Sequence, residues 1–218
     1  MKAMILAAGR GERMRPLTDL TPKPLIEVGG QPLISRHLER LKQAGVDEVI
    51  INTAWLGEQI EEYVSDGHPW GVKVVYSREA KGALETGGGI LKAMPLLGNQ
   101  PFWLVNGDIW TDFPFARLPE RPSDCAHLVL VDNPPHNEKG DFALANGRVH
   151  TSGAQMLTFA GIAALKPNLW SGYRPGNFPL APLLRRAAEL GRVSGDYWPG
   201  AWHDIGTPER LQAARQAI

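Results

Sequence analysis

Ala3-Met4-Ile5-Leu6-Ala7-Ala8-Gly9-Arg10-Gly11-Glu12-Arg13-Met14-Arg15-Pro16 joins an uninterrupted apolar run to a cationic loop that carries glycines. Ala3 to Ala7 is apolar at every position, so both faces of the strand it predicts must be covered. Such strands lie in the middle of a sheet with helices on either side. The loop then places Gly9 and Gly11 among Arg10, Arg13 and Arg15. Glycine lets a backbone approach a phosphate closely, and successive N–H groups can point at its oxygens. The segment is therefore a candidate triphosphate cradle. The dinucleotide fingerprint GxGxxG needs a glycine where Met14 stands, and no GxxxxGK(S/T) run is present. Both a dinucleotide-binding oxidoreductase and a P-loop nucleotidase are disfavoured. Taken alone, a GxG after a strand is equally an ordinary βα turn edged with surface arginines.

Outward from this stretch, short apolar runs alternate with segments of helical period, the mark of βαβ units around a mostly parallel sheet. A helix is predicted from about Pro32 to Ala44, with Leu33, Ile34, Leu38 and Leu41 as its apolar stripe and Gly45 as its stop. Val49 to Asn52 and Val72 to Tyr76 read as strands, Gln59 to Val64 as a helix. Ile90 to Leu97 reads as a helix whose first turn carries Gly87, Gly88 and Gly89, and Phe102 to Val105 as a further buried strand. Beyond Asp108 the pattern loosens into proline-rich connections at Phe113 to Pro122 and Asn133 to Pro135. Strand-like pieces follow at His127 to Val131, Phe142 to Leu144 and Met156 to Phe159, then a helix at about Ala181 to Leu190. A terminal helix is opened by Thr207 as cap and Pro208 at its first position. The expected architecture is α/β, a three-layer αβα domain of one unit over residues 1–218.

With 23 basic and 23 acidic residues in 218, the chain has no global field to hold nucleic acid or an anionic membrane. Any phosphate site must be local. Cys125 is the only cysteine, which excludes an internal disulfide framework and a thiolate zinc site and fits a reducing compartment. The apolar run at the start is too short for a signal peptide, and no stretch approaches the roughly 20 apolar residues of a membrane span. A soluble, cytoplasmic protein is expected.

Three further segments carry chemistry. Thr21-Pro22-Lys23-Pro24-Leu25 mounts a lysine between two prolines that stiffen its backbone. Such a positioned cation suits charge neutralisation in phosphoryl-type transfer, although a lone loop lysine is commonly just solvated. Phe102-Trp103-Leu104-Val105-Asn106-Gly107-Asp108 delivers Asp108 at the carboxyl end of a buried strand, where ligands of open α/β sheets gather. A carboxylate there suits magnesium, which takes one or two carboxylates and completes its shell with phosphate oxygens and water. The plain alternative is an aspartate bonding its own turn. Asp204, within Trp202-His203-Asp204-Ile205-Gly206-Thr207, is the second candidate carboxylate, or a simple turn before a helix. His37 reads as a packing or surface residue. His68, His127, His136 and His150 lack metal-ligand spacing, and Cys125 has no base partner.

The series LAAGxGxR, PKPL, an apolar strand ending in NGD, and WxDIGT, in this order across nearly the whole chain, resembles the sugar-nucleotide pyrophosphorylases. The resemblance implies a Rossmann-like fold with a nucleotide-binding half over about 1–108 and a sugar-binding half over about 109–218. It assigns Gly9, Gly11, Glu12 and Arg13 to the triphosphate loop, and Arg13 and Lys23 to catalysis. It further implies magnesium held by Asp108 and Asp204. The runs Leu84-Glu85-Thr86-Gly87-Gly88-Gly89 and Gly140-Asp141-Phe142, with the short chain, look like the N-acetylmuramate-1-phosphate uridylyltransferases of cell-wall recycling. That likeness implies UTP and N-acetylmuramic acid 1-phosphate as substrates. Glu85 and Gly88 would then lie on the nucleotide side, and Asn106, Asp141 and Asp204 beside the sugar phosphate. Ala160 stands where a serine is expected in close relatives. Mannose or glucose 1-phosphate with GTP, dTTP or CTP, and a non-catalytic nucleotide-sugar sensor, remain as alternatives.

Overall fold

The structure, a computed structural model, describes residues 1–79 and 84–218. Its strands are β1 Lys2–Leu6, β2 Glu27–Val28, β3 Gln31–Pro32, β4 Glu48–Thr53, β5 Lys73–Arg78, β6 Phe102–Asn106, β7 Ile109–Thr111, β8 Ala126–Val131, β9 Phe142–Ala145, β10 Arg148–His150, β11 Met156–Leu165, β12 Val193–Tyr197 and β13 Trp202–Asp204. Its α-helices are α1 Leu17–Leu20, α2 Leu33–Gln43, α3 Gly57–Val64, α4 Glu85–Leu97, α5 Ala181–Glu189 and α6 Pro208–Ala217. Among the described residues no helix is long and apolar enough to cross a membrane.

One sheet has nine strands in the order β5-β4-β1-β6-β11-β8-β12-β10-β9. β5, β4, β1 and β6 pair in parallel, as the apolar runs predict, and only β11 and β10 run against the common direction. The two faces of β1 serve different layers. Ala3 and Ile5 pack with Ile34, Leu38 and Ile60 of α2 and α3, while Met4 packs with Ile90 and Ala93 of α4. A third, smaller core joins Met14, Ile26, Leu33 and Trp110 to Ile205, Leu211 and Ala214. Through it the C-terminal helix folds back on the segments that follow β1. Thr207 caps that helix by accepting a hydrogen bond from the Arg210 amide, and Pro208 occupies its first turn.

Three elements depart from the expected pattern. β11 runs on to Leu165, with an irregularity between Phe159 and Ala163 where Gly161 takes φ +74°. A side chain there would meet Asn106 Nδ2 at 2.6 Å, so this glycine makes room for the end of β6. β12 carries Gly195 and Asp196, poor strand formers. It forms because a bare Gly195 lets it lie beside Leu128 of β8, whose carbonyl would be 2.8 Å from a Cβ. Finally, α4 begins at Glu85, so the three glycines stand inside the helix rather than opening it. Glycine costs a helix about 1 kcal/mol relative to alanine, and here close approach explains each one. A Cβ on Gly87 would meet the Phe178 ring at 2.6 Å, one on Gly88 the Gly176 carbonyl oxygen at 2.1 Å, and one on Gly89 Glu79 Oε1 at 2.6 Å. Gly88→Ala is therefore expected to destabilise the protein by about 1–3 kcal/mol through overpacking against backbone. Thermal denaturation would show this as a Tm lowered by several degrees.

Candidate active site

A cleft opens at the carboxyl ends of the parallel strands, the place where open α/β sheets collect ligands. Leu6 hands the chain to the glycine loop. Gly11 adopts the left-handed conformation, φ 65°, and a Cβ would press on Thr18 at 2.9 Å. The Thr18 hydroxyl donates to the Gly11 carbonyl at 2.8 Å, tying the loop to α1. Among the described residues, no atom beyond its chain neighbours lies within 4 Å of where a Gly9 side chain would be. Packing does not require that glycine, and it borders open cleft. Glu12 and Arg13 follow on a 3₁₀ turn anchored by buried Met14, and both side chains are exposed. They are not among the residues that line the cleft.

Lys23 stands at the start of a 3₁₀ turn, Lys23–Leu25, on the rigid Pro22–Pro24 mount. Its Nζ donates to Asp108 Oδ2 at 2.8 Å, across 85 residues of sequence, and both residues line the cleft. The lysine side chain is 13 % exposed and the aspartate 35 %, so the pair sits at the wall rather than in the core. Asp108 is placed by its neighbours. The Gly107 amide donates to the Leu6 carbonyl at 2.9 Å, which locks the end of β6 to the end of β1. The Asp108 carbonyl accepts from the Ile205 amide at 2.8 Å. Asp108 Oδ1 takes no hydrogen bond among the described residues.

Asp204 is not among the residues that line the cleft; it stands next to Asp108 on a two-stranded antiparallel ribbon in which it faces Ile109 directly, one residue beyond Asp108. Its carboxylate is held by Arg210 of α6, and its Oδ2 lies 3.6 Å from His136 Nε2. Gly206 permits the arginine contact, because a Cβ there would meet Arg210 Nη1 at 2.6 Å. The ribbon thus brings the two predicted carboxylates to adjacent backbone positions, and each is engaged by a cation.

The remaining predicted residues divide. Asn106 and Glu85 line the cleft, Glu85 as an exposed residue with φ 56° at the first turn of α4. Gly88 is not part of the lining. It is buried against Gly176 and donates its amide to the Phe178 carbonyl at 3.0 Å, contacts that give it a packing role. Asp141 likewise stands in a turn network. Its Oδ2 accepts from the Phe159 amide at 2.9 Å and from Asn137 Nδ2 at 3.2 Å, and the structure does not bring it to the cleft wall.

Two lining residues escape a reading of motifs. Asn52, at the end of β4, accepts from the Ala7 amide at 2.8 Å and donates to Glu79 Oε1 at 2.8 Å. Glu79 Oε2 in turn accepts from the Leu84 amide at 2.9 Å. This buried pair fixes the start of the glycine loop and the approach to α4 at once. Their signal in the sequence is position alone, at the carboxyl ends of the second and third predicted strands. His37 follows the bland expectation, whereas His136 stands beside Asp204. His37 is buried in α2, where desolvation, opposed by the Ile109 backbone, and two neighbouring arginines push its pKa down to about 4. Burial also lowers His203 and raises the Cys125 thiol, which belongs to the core.

The family model described as "Nucleotidyl transferase" matches residues 2–159. The chain is 53% identical over 226 residues to an N-acetylmuramate alpha-1-phosphate uridylyltransferase of Neisseria meningitidis serogroup B, covering 99% of this chain and 97% of that protein. It is 36% identical to the enzyme of the same name from Caulobacter vibrioides, covering 99% and 96%. Among solved structures, a Bacillus anthracis protein provisionally described as a glucose-1-phosphate thymidylyltransferase superposes with a TM-score of 0.88 at 21% identity, covering 100% of this chain and 94% of that one. A UDP-glucose pyrophosphorylase does so at 0.80 and 21%, covering 99% and 97%. At that identity the structural likeness establishes the three-layer fold alone. Family match and full-length relatives together are decisive: this chain belongs to the nucleotidyl transferase family.

Proposed function

We propose that the protein transfers UMP from UTP to N-acetylmuramic acid α-1-phosphate, giving UDP-N-acetylmuramic acid and pyrophosphate, in cytoplasmic recycling of peptidoglycan. The observation that carries this reading is near-complete coverage of a relative of that name at 53% identity. The cleft supports it, with a glycine loop at one wall and the Lys23–Asp108 pair at another.

In the proposed reaction an oxygen of the sugar phosphate attacks the α-phosphorus of UTP in line. The bond from that phosphorus to the bridging oxygen breaks, and pyrophosphate leaves with the electron pair. No covalent enzyme intermediate is formed, so the protein's work is positioning and charge stabilisation. Amides of the loop at Gly9 and Gly11 face the triphosphate. Arg13, which makes no ion pair among the described residues, swings to the phosphates from its exposed turn. Lys23 exchanges Asp108 for the α-phosphate and offsets the charge that builds there. Glu12 and Glu85 border the nucleotide, and Asn106 the sugar phosphate.

The donor set fits magnesium. Asp108 and Asp204 stand at adjacent backbone positions of the ribbon, Asp108 keeps one oxygen without a partner among the described residues, and substrate phosphates can complete such a shell. Among the described residues no three acidic, histidine or cysteine side chains cluster as an ion site, so the proposal rests on two carboxylates and the substrate phosphates. Asp108 and Asp204 would hold it, Asp204 by yielding Arg210. The ion would supply positive charge between the phosphates of the two substrates.

Pyrophosphate release across a panel of sugar 1-phosphates and nucleoside triphosphates tests the assignment. The expected result is that UTP with N-acetylmuramic acid 1-phosphate exceeds every other pair in kcat/KM by about tenfold or more. A higher value for mannose or glucose 1-phosphate with GTP, dTTP or CTP would overturn it, and no release with any pair would favour a sensor.

A further inference from the structure

Helix α2 carries three nitrogen-bearing side chains, Arg36, His37 and Arg40, on the side that meets the segment after Asp108. Arg40 Nη2 donates to the carbonyls of Asp112 and Phe113, at 2.8 and 2.7 Å. The Arg36 guanidinium lies over the Trp110 ring, 4.5 Å from its centroid. His37, fully buried, faces the backbone of Ile109. Ile109, Trp110, Asp112 and Phe113 are thus each met by a side chain of one helix. That segment is β7 and its continuation; Asp108 precedes it and β13, ending in Asp204, is paired along it.

Stability alone does not account for this arrangement. Arg36 Nε, His37 Nε2, Arg40 Nε and Trp110 Nε1 are buried without a hydrogen-bond partner among the described residues. Each such group costs free energy that an apolar stripe on the same helix face would avoid. What the cationic face supplies, and an apolar one would not, is direction. Hydrogen bonds from Arg40 to the carbonyls of Asp112 and Phe113 fix the height at which the chain leaves β7, where apolar contact would let it slide.

We propose that Arg36, His37 and Arg40 are positioning residues that hold the β7–β13 ribbon so that Asp108 and Asp204 present their oxygens to one divalent ion. This inference rests on the metal role proposed above for those carboxylates. Arg40 acts through the backbone and touches neither substrate nor ion.

The test is Mn2+ binding in the presence of UTP and the absence of sugar phosphate, followed by water-proton relaxation, on wild type, Arg40→Met, Arg40→Lys and Asp108→Asn, well below each Tm. Arg40→Met is expected to raise the Mn2+ dissociation constant about tenfold, a loss typical of removing support behind a metal ligand. Arg40→Lys should recover part of the loss, because it keeps a donor on that face without the guanidinium fork. A purely structural arginine would lower Tm in Arg40→Met and leave Mn2+ affinity at the wild-type value, and that result overturns the inference. If Arg40→Met does not fold, wild-type affinity in Arg40→Lys together with a shortened, singly bonded contact in its crystal structure overturns it equally. Unchanged affinity in Asp108→Asn as well removes the metal role, and this inference with it. Weakened affinity in Asp108→Asn beside unchanged Arg40 variants removes the clamp alone.

Discussion

Asp108→Asn is expected to lower kcat for pyrophosphate release by about 10³-fold while leaving the fold intact. The substitution keeps side-chain size and removes one charge. The position is held by backbone contacts that asparagine preserves, namely the Gly107 amide on Leu6 and the Ile205 amide on the Asp108 carbonyl. The lost ion pair with Lys23 is partly exposed, and such pairs are worth about 0–1 kcal/mol. Tm should therefore move by little. A charged oxygen donor facing the phosphates is a different matter, because it acts where the charges of ion and phosphates meet. Turnover measured over a magnesium series separates the two cases, and activity within a few fold of wild type at all concentrations would remove Asp108 from the ion site.

Lys23→Ala is the second large effect. Lys23 is expected to matter most when charge gathers at the α-phosphate, so kcat should fall by about 10²-fold, close to 2.7 kcal/mol of transition-state stabilisation. The proline-flanked mount favours this, since a fixed cation costs little reorganisation when the reaction proceeds. If kcat is unchanged and only KM for UTP rises, Lys23 contributes uniform binding instead. The variant also discriminates between the members of the ion pair. Removing Lys23 leaves Asp108 without its cation, so binding of the divalent ion should hold or tighten, whereas Asp108→Asn weakens it.

The parallel half of the sheet was open to reading because its strands are apolar on both faces and its helices amphipathic, patterns that local sequence displays directly. β7, β13 and β12 were not, since three-residue strands and a strand built on Gly195 and Asp196 owe their existence to partners far along the chain. Gly87 to Gly89 show the same limit. Propensity places glycines at a helix end, and only the nearness of Phe178, Gly176 and Glu79 explains why they lie inside α4. In the cleft, Gly9, Gly11, Lys23 and Asp108 announce themselves by residue type and position. The salt bridge between Lys23 and Asp108 does not, because no spacing rule links residues 85 apart. Asn52 and Glu79 went unnoticed for a related reason. An asparagine and a glutamate at strand ends are commonplace until coordinates show them joined and buried. Asp204 was a candidate carboxylate from its segment and owed its metal role to the resemblance, and its bond to Arg210 is visible only once α6 has folded back.

If Asp108 and Asp204, carried on one ribbon, hold one divalent ion beside the glycine loop, anomalous diffraction from Mn2+ in crystals grown with UTP is expected to show it. One peak should be bonded to oxygens of both carboxylates and of the triphosphate, with Asp204 released from Arg210. A peak bonded to neither carboxylate, or an Asp204 still paired with Arg210 while the ion rests on Asp108 alone, would contradict that arrangement.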